Sequence, residues 1–417
     1  MPPKQLHADL LDASPGLLIF DITDLVNYGR RNRAVSGIQR GAIEIIRTCL
    51  RELGDDKVCL AYLQRRRGFW ALRGPVAKQF DADPLAFVQQ LVLASKGPVS
   101  YLRGPRPFRD VRTVSLRKVL QPGSCFINLG GNWGLKGYPA SVERLSKRYK
   151  VAVYQMVCDL IPLLQTQHLA FDFSEKFLRW LKHMSRSATK LLAISQSTQR
   201  DLKAILHEQN IEVESEVVPL AIDFSGAGTA TNKAIVSSQI PGTPYVLVVG
   251  TMESRKNIYG LALVWQNLIS LHGIAVPKLV FAGKLGWGID DFLALMTETN
   301  WLNGHVIHID RPDDAILSAL YTNCQFTAMV SHYEGWGLPI GEGLFHGKTG
   351  VVADNSAMPE VGGDLVLYCQ SDQLDSIQAA CERLIFDPKL RKDLETKIRS
   401  HHFPTWRDVA ANLISKL

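Results

Sequence analysis

Short apolar runs, four to seven residues long, recur along this 417-residue chain and end in glycine or polar turns. They lie at Leu17–Ile22, Val58–Leu63, Cys125–Leu129, Val151–Val157, Leu191–Ser195, Tyr245–Gly250, Lys278–Ala282, His305–Ile309, Phe326–Val330, Gly350–Ala353 and Leu365–Tyr368. Runs of that length with turn residues at their ends are those of strands buried on both faces. Helical spacing separates several of them. Ile38, Ala42, Ile45, Ile46, Cys49 and Leu53 share one helix face, as do Phe177, Leu178, Leu181 and Met184. Strand and helix patterns therefore alternate in both halves, and the fold class is α/β.

A chain this long exceeds one ordinary core. Residues 225–244 are small, polar and punctuated by Gly and Pro, and read as a linker between residues 1–224 and 245–403. Val217–Leu220 reads as the last strand of the first part, and residues 64–120 as a loop-rich insertion with its own small core. The chain is 46% hydrophobic and 21% charged, as in a soluble globular protein. Cysteines 49, 59, 125, 158, 324, 369 and 381 form no CxxC pair, which fits buried thiols in a reducing compartment. No signal peptide and no apolar run of roughly 18 residues is evident. The expected location is cytoplasmic.

The densest chemistry lies between Ser331 and Asp364. Glu334-Gly335-Trp336-Gly337 follows a strand, and two glycines around one aromatic let a ligand approach the backbone. Leu338 and Pro339 open a helix, whose first N–H groups and dipole favour an anion. Two carboxylates, Glu334 and Glu342, flank that anion site. Carboxylates accept hydrogen bonds from hydroxyls. A ligand carrying both phosphates and hydroxyls, a nucleotide-sugar, reconciles the two features.

The string E-G-W-G-L-P-I-G-E, with Gly347, Val351–Ala353 and Asn355–Val361 after it, resembles the signature of retaining glycosyltransferases of the GT-B fold, glycosyltransferase family 4. Gly250-Thr251-Met252-Glu253-Ser254-Arg255-Lys256-Asn257 resembles that family's VGT-x-E-x-R-K-N segment. The resemblance implies two doubly wound Rossmann-like domains facing a central cleft, with a C-terminal helix, residues 404–417, crossing back to the first domain. It implies that Glu334 contacts the donor sugar, that Glu342 holds the ribose, and that Arg255 and Lys256 clamp the diphosphate. The donor site would further include Gly250, Thr251, Gly283, Gly335, Trp336, Gly337 and Leu338, with the backbone around Arg311 near the base. The chemistry agrees, because a leaving nucleoside diphosphate needs cationic stabilisation.

In the first half the resemblance is thin. Cys158-Asp159-Leu160-Ile161-Pro162 stands where relatives have His-Asp or Tyr-Asp, so a catalytic histidine does not carry over and Asp159 does. An aspartate at a strand's carboxyl end faces the ligand crevice of an α/β sheet, or caps a helix; both readings stand. Gly37 and Arg40, after the first strand, are implied to face the acceptor, although glycine before a helix is also a common turn.

The expected activity is metal-independent transfer of a hexose, with mannose from GDP-mannose suggested by the style of the motifs. The acceptor would be a glycan or lipid-linked glycan of a bacterial-type surface polysaccharide or lipopolysaccharide. A sugar-nucleotide epimerase and a non-catalytic nucleotide- or glycan-binding module are the alternatives. No cofactor or metal is expected. A metal-dependent transferase would need Asp-x-Asp at a strand end, and Asp81-Ala82-Asp83 follows a poor strand. The net charge of +7 is compatible with a peripheral anionic membrane surface, for which the helix 174–188 with Trp180 is the candidate. No nucleic-acid module is present.

Overall fold

A computed structural model describes residues 16–32, 35, 37–64, 67–94, 110–168, 172–223 and 244–417. It divides into two compact units. The first comprises residues 1–164, 170–221 and 404–417, the second residues 165–169 and 222–403. Nearly all of the linker expected at 225–244 lies outside the described residues.

Unit one is built on β1 (Leu18–Asp21), β2 (Val58–Gln64), β3 (Gly68–Arg73), β4 (Arg112–Ser115), β5 (Cys125–Asn128), β6 (Ala152–Val157), β7 (Lys190–Ala193) and β8 (Glu214–Val217). The order is β4-β3-β2-β1-β5-β6-β7-β8. Neighbours from β2 to β8 run parallel, whereas β3 and β4 add on antiparallel. The order keeps the expected doubly wound sheet and adds β3 and β4 at one side of it. That corrects the reading of residues 64–120, whose described part is an extension of the main sheet. Phe69 on β3 packs edge-on against Phe126 and Tyr138 of the same core. Phe80 and Phe87, on helices Val76–Ala82 and Pro84–Ala94, bury against each other. Tyr101 and Phe108 lie outside the described residues. The last strand is β8, a few residues before Val217–Leu220.

Unit two holds β9 (Tyr245–Val249), β10 (Lys278–Ala282), β11 (Val306–Ile309), β12 (Phe326–Met329), β13 (Gly350–Ala353) and β14 (Leu367–Cys369). All pairs are parallel and the order is β11-β10-β9-β12-β13-β14. Alternate β9 residues enter two cores: Val246 and Val248 join one, Tyr245 and Leu247 the other. That period of two across a sheet covered on both faces is why the run reads as continuously apolar. Helix Ile258–His272, continued by a 3₁₀ turn to Ala275, is long and apolar enough to cross a membrane over 18 residues. It corrects the expectation that no segment reaches that length. Ile258, Leu261, Val264, Trp265 and Leu268 place it in the core of this unit.

The final helix, Trp406–Ser415, belongs to unit one. Thr405 caps it through Asp408 in a reciprocal box, and Trp406, Val409, Ala410, Leu413 and Ile414 are buried. Arg407 pairs with Glu52 at 3.1 Å and Lys190 Nζ donates to Lys416 O at 2.9 Å. Helix Phe173–Ser187 turns Phe177, Trp180, Leu181 and Met184 into the same core. Trp180 is therefore not available to a bilayer, and only the polar face with Lys176 and Arg179 is exposed. Asp81 ends a helix and pairs with Arg51, and Asp83 caps the next helix at Ala86 N, so the Asp-x-Asp spacing makes no shared site.

Candidate active site

In unit two the chain reverses sides between β9 and β12, adjacent strands joined to opposite flanks of the sheet. Ligands of open α/β sheets bind at the carboxyl ends of such strands. Both segments singled out by sequence leave from there: Gly250–Asn257 after β9 and Ser331–Gly337 after β12. Gly250 adopts φ 133° and Gly283 φ 153°. A Cβ on Gly283 would sit 2.0 Å from Gly250 O, so the loops after β9 and β10 touch through bare backbone. Thr251 lies in the same loop, which then forms a 3₁₀ turn over Ser254–Lys256 and ends on Asn257 at φ 52°.

That turn brings Arg255 and Lys256 to one carboxylate. Glu334 Oε1 lies 3.0 Å from the Arg255 guanidinium and 2.8 Å from Lys256 Nζ. Arg255 also pairs with Glu253 at 2.5 Å and donates to Tyr333 O. Glu253, Arg255 and Glu334 are all buried, with two negative and two positive charges balanced across the four residues once Lys256 is included. Burial pushes the Glu334 carboxyl upward, but the Lys256 and Arg255 charges outweigh it and hold it at about 2. Burial works against the Arg255 charge too, and Glu334 and Glu253 more than restore it, raising its pKa above the usual value. Glu334 N donates to Ser356 Oγ at 2.9 Å, which fixes the backbone under the carboxylate.

Gly335, Trp336 and Gly337 complete the loop, and Gly337 at φ 107° opens helix Leu338–Phe345 with Pro339 in its first turn. Trp336 is buried and its indole N–H has no hydrogen-bond partner. Such a donor is costly unless something else satisfies it. Glu342 lies buried further along the helix, where its Oε2 accepts from Tyr321 at 2.7 Å. Arg311 occupies an exposed bend after β11 at φ 46°, beside Asp310 at 3.0 Å.

Sequence reasoning gave no role to Glu253, Tyr321 or two histidines beside Arg255. His168 Nδ1 lies 2.8 Å from Ser254 Oγ, and His168 O accepts from Trp287 at 2.7 Å. Its ring stacks on His332 at 5.7 Å. Burial lowers both pKa values; the Arg255 charge adds to the effect on His168, and His168 adds to that on His332. Among the described residues no group of three or more His, Cys, Asp or Glu side chains has the arrangement of a metal site.

In unit one the strand ends at β1, β5 and β6 carry a polar network. Asp21 accepts from Tyr138 at 2.5 Å, Asn132 at 3.1 Å and Thr23 N at 2.9 Å, and burial raises its pKa to about 6. Asp24 accepts from Gln39 at 2.8 Å, and burial raises its pKa as well. A charged residue ending an otherwise apolar run was the signal available for Asp21. Asp159 Oδ1 accepts from Ile161 N at 3.1 Å, an Asx turn just ahead of the short helix Ile161–Leu164. Burial pushes the thiol of neighbouring, half-buried Cys158 up, away from the thiolate form. Gly37 is the first residue of helix Gly37–Lys57, with Arg40 half-buried one turn in.

Residues 231–401 match the family described as glycosyl transferases group 1. O-antigen chain mannosyltransferase B of Escherichia coli is 33% identical over 154 residues, 37% of this chain and 40% of that protein. The serotype-specific mannosyltransferase WbdA of Escherichia coli is 21% identical over 272 residues, 63% of this chain and 33% of that protein. The chain thus spans 40% or less of the length of these curated relatives. Anabaena Alr3699/HepE, solved in complex with UDP-glucose, superposes with a TM-score of 0.59 at 13% identity, over 96% of this chain and 99% of that one. Sucrose-phosphate synthase from Thermosynechococcus elongatus gives 0.60 at 12% identity, over 95% and 97%. At such identities the likeness establishes architecture alone. The chain has the GT-B fold, and its second unit carries the match to glycosyl transferases group 1.

Proposed function

We propose that the chain is a retaining glycosyltransferase of family 4 that moves mannose from GDP-mannose to a glycan or lipid-linked glycan acceptor. The observation that carries this reading is the cluster of buried Glu253, Arg255 and Glu334 with half-buried Lys256 at the carboxyl ends of β9 and β12. Glu253 holds Arg255 in place before any anion arrives, so the guanidinium meets a diphosphate already oriented, while Glu334 occupies both cations until the donor takes them over. The names of the Escherichia coli mannosyltransferases support the choice of sugar.

In this mechanism Glu334 contacts the sugar, Glu342 the ribose, and Arg255 and Lys256 the diphosphate. The bond from the anomeric carbon to phosphate oxygen breaks, and the acceptor oxygen bonds to that carbon on the same face. The acceptor proton passes to the departing phosphate. Negative charge grows on the diphosphate, where the two cations stabilise it without a metal ion. Asp159, Gly37 and Arg40 are assigned to the acceptor side.

The test is transfer from a panel of nucleotide-sugars, with product stereochemistry read by NMR. GDP-mannose should be consumed only with acceptor present, and activity should survive excess EDTA. Lys256→Ala removes a charge-assisted contact worth roughly 1.5–3 kcal/mol, or about 10- to 100-fold in donor affinity. Activity that disappears with EDTA and returns with Mg²⁺ would overturn the account of the leaving group. Isomerised donor without any transfer would make the protein an epimerase.

A further inference from the structure

We propose that Tyr321 is a positioning residue for Glu342, and that the carboxylate it fixes is what makes the site select ribonucleotides; this rests on reading Glu342 as the ribose carboxylate. Helix Asp314–Asn323, capped by Asp313 Oδ1 on Ile316 N at 2.8 Å, carries Ser318 and Tyr321 one turn apart. These two residues reach Glu342 and His346, also one turn apart, on and just beyond helix Leu338–Phe345.

The Tyr321 hydroxyl lies 2.7 Å from Glu342 Oε2 and 3.4 Å from Pro339 O. Its single proton goes to the nearer, charged acceptor. The ring is fully buried and stacks on His346 at 5.2 Å and 21°, so the hydroxyl cannot swing away. His346 Nδ1 lies 2.8 Å from Glu342 O, which only accepts, so Nδ1 bears the proton. Burial lowers the His346 pKa and keeps the ring neutral, leaving Nε2 to accept from Ser318 Oγ at 3.0 Å. One helix thereby holds both the backbone and the carboxylate of Glu342. A carboxylate held this way meets the ribose hydroxyls in one orientation, with less rotamer freedom to lose on binding.

The experiment is calorimetric titration of GDP, UDP and their 2′,3′-dideoxy forms into wild type, Tyr321→Phe, Glu342→Gln and the double variant. Tyr321→Phe should weaken the ribonucleotide about 5- to 20-fold, part of the roughly 10- to 100-fold of a hydrogen bond made directly to a charged group because it acts through Glu342, and leave the dideoxy form within about 2-fold. Glu342→Gln should collapse the same ratio, and adding Tyr321→Phe to it should change little. Ser318→Ala, which removes the hydroxyl from His346 Nε2 while keeping the Tyr321 ring, is the second variant and should shift the ratio the same way by less. A wild-type ratio in Tyr321→Phe, with both nucleotides weakened equally or not at all, would reduce Tyr321 to packing and overturn the inference while Glu342 kept its role. A wild-type ratio in Glu342→Gln would instead sink the ribose reading itself.

Discussion

Replacing Glu334 by Gln keeps the side chain's shape and removes its charge from between Arg255 and Lys256. The wild-type carboxyl is held at about 2 against an ordinary 4.5. That difference is worth about 3 kcal/mol of folding stability at neutral pH. Because the folded-state value lies below the unfolded one, the contribution is complete above about pH 5. It shrinks as pH falls from 4.5 toward 2, with roughly half left at pH 3. Glu334→Gln should therefore lower the protection of the β12 amides and of helix Leu338–Phe345 by about 3 kcal/mol at pH 7 and by about half of that at pH 3. Hydrogen exchange at the two pH values reads this directly. The same substitution releases Lys256 and part of Arg255 from their internal partner. Sugar transfer should be lost while affinity for the nucleoside diphosphate stays equal to wild type or rises. A protection gap that does not change with pH would show that packing, not charge, holds Glu334. Loss of diphosphate binding together with transfer would mean that the carboxylate organises the cations instead of competing for them.

Two further outcomes concern unit one. The Asp21 carboxyl should titrate near pH 6 by carbon NMR; since the folded value lies above the ordinary 3.8, about 3 kcal/mol of stability is lost as pH rises from 4 through 6. A midpoint below 4 would show that the bonds from Thr23 and Tyr138 overcome burial. Truncation before Pro404 removes four large buried side chains, Trp406, Val409, Leu413 and Ile414, worth roughly 6–12 kcal/mol as an upper bound. That rivals the whole stability of a domain, so the product should aggregate or expose unit one to proteolysis, and a soluble product with wild-type protection of β1 and β6 would refute it.

The parallel strands were legible because burial on both faces removes polar residues from them, as in β9 and β12. The region after Gln64 was not. Strand β3 alternates buried and half-buried residues, and β4 is exposed or half-buried along its length. β4, the edge strand, leaves no continuous apolar run, and the run in β3, Phe69–Leu72, is only four residues long between arginines. Trp180 shows the converse ambiguity. An amphipathic helix with a cationic flank is the same pattern whether its apolar face meets a bilayer or a protein core, and here the core takes it.

At the site, sequence exposed the residues whose chemistry is unusual for their position and hid those that act through them. Glu334 in a glycine loop and Arg255-Lys256 after a buried strand are conspicuous because charge at a strand end needs a reason. Glu253 belongs to the matched segment Gly250–Asn257, but its pairing with Arg255 two residues on shows only where the 3₁₀ turn folds it back at 2.5 Å. Tyr321 lies in the middle of a helix among Leu317, Ala319 and Leu320, where a tyrosine reads as core; its ring is core, and only its hydroxyl reaches Glu342. His168 is 164 residues from its stacking partner His332 in sequence, and no periodicity links them. A side chain's own chemistry is written in its residue type. Its partner is written in the register of two helices or the turn of a loop, and those are set by the packing of the whole unit.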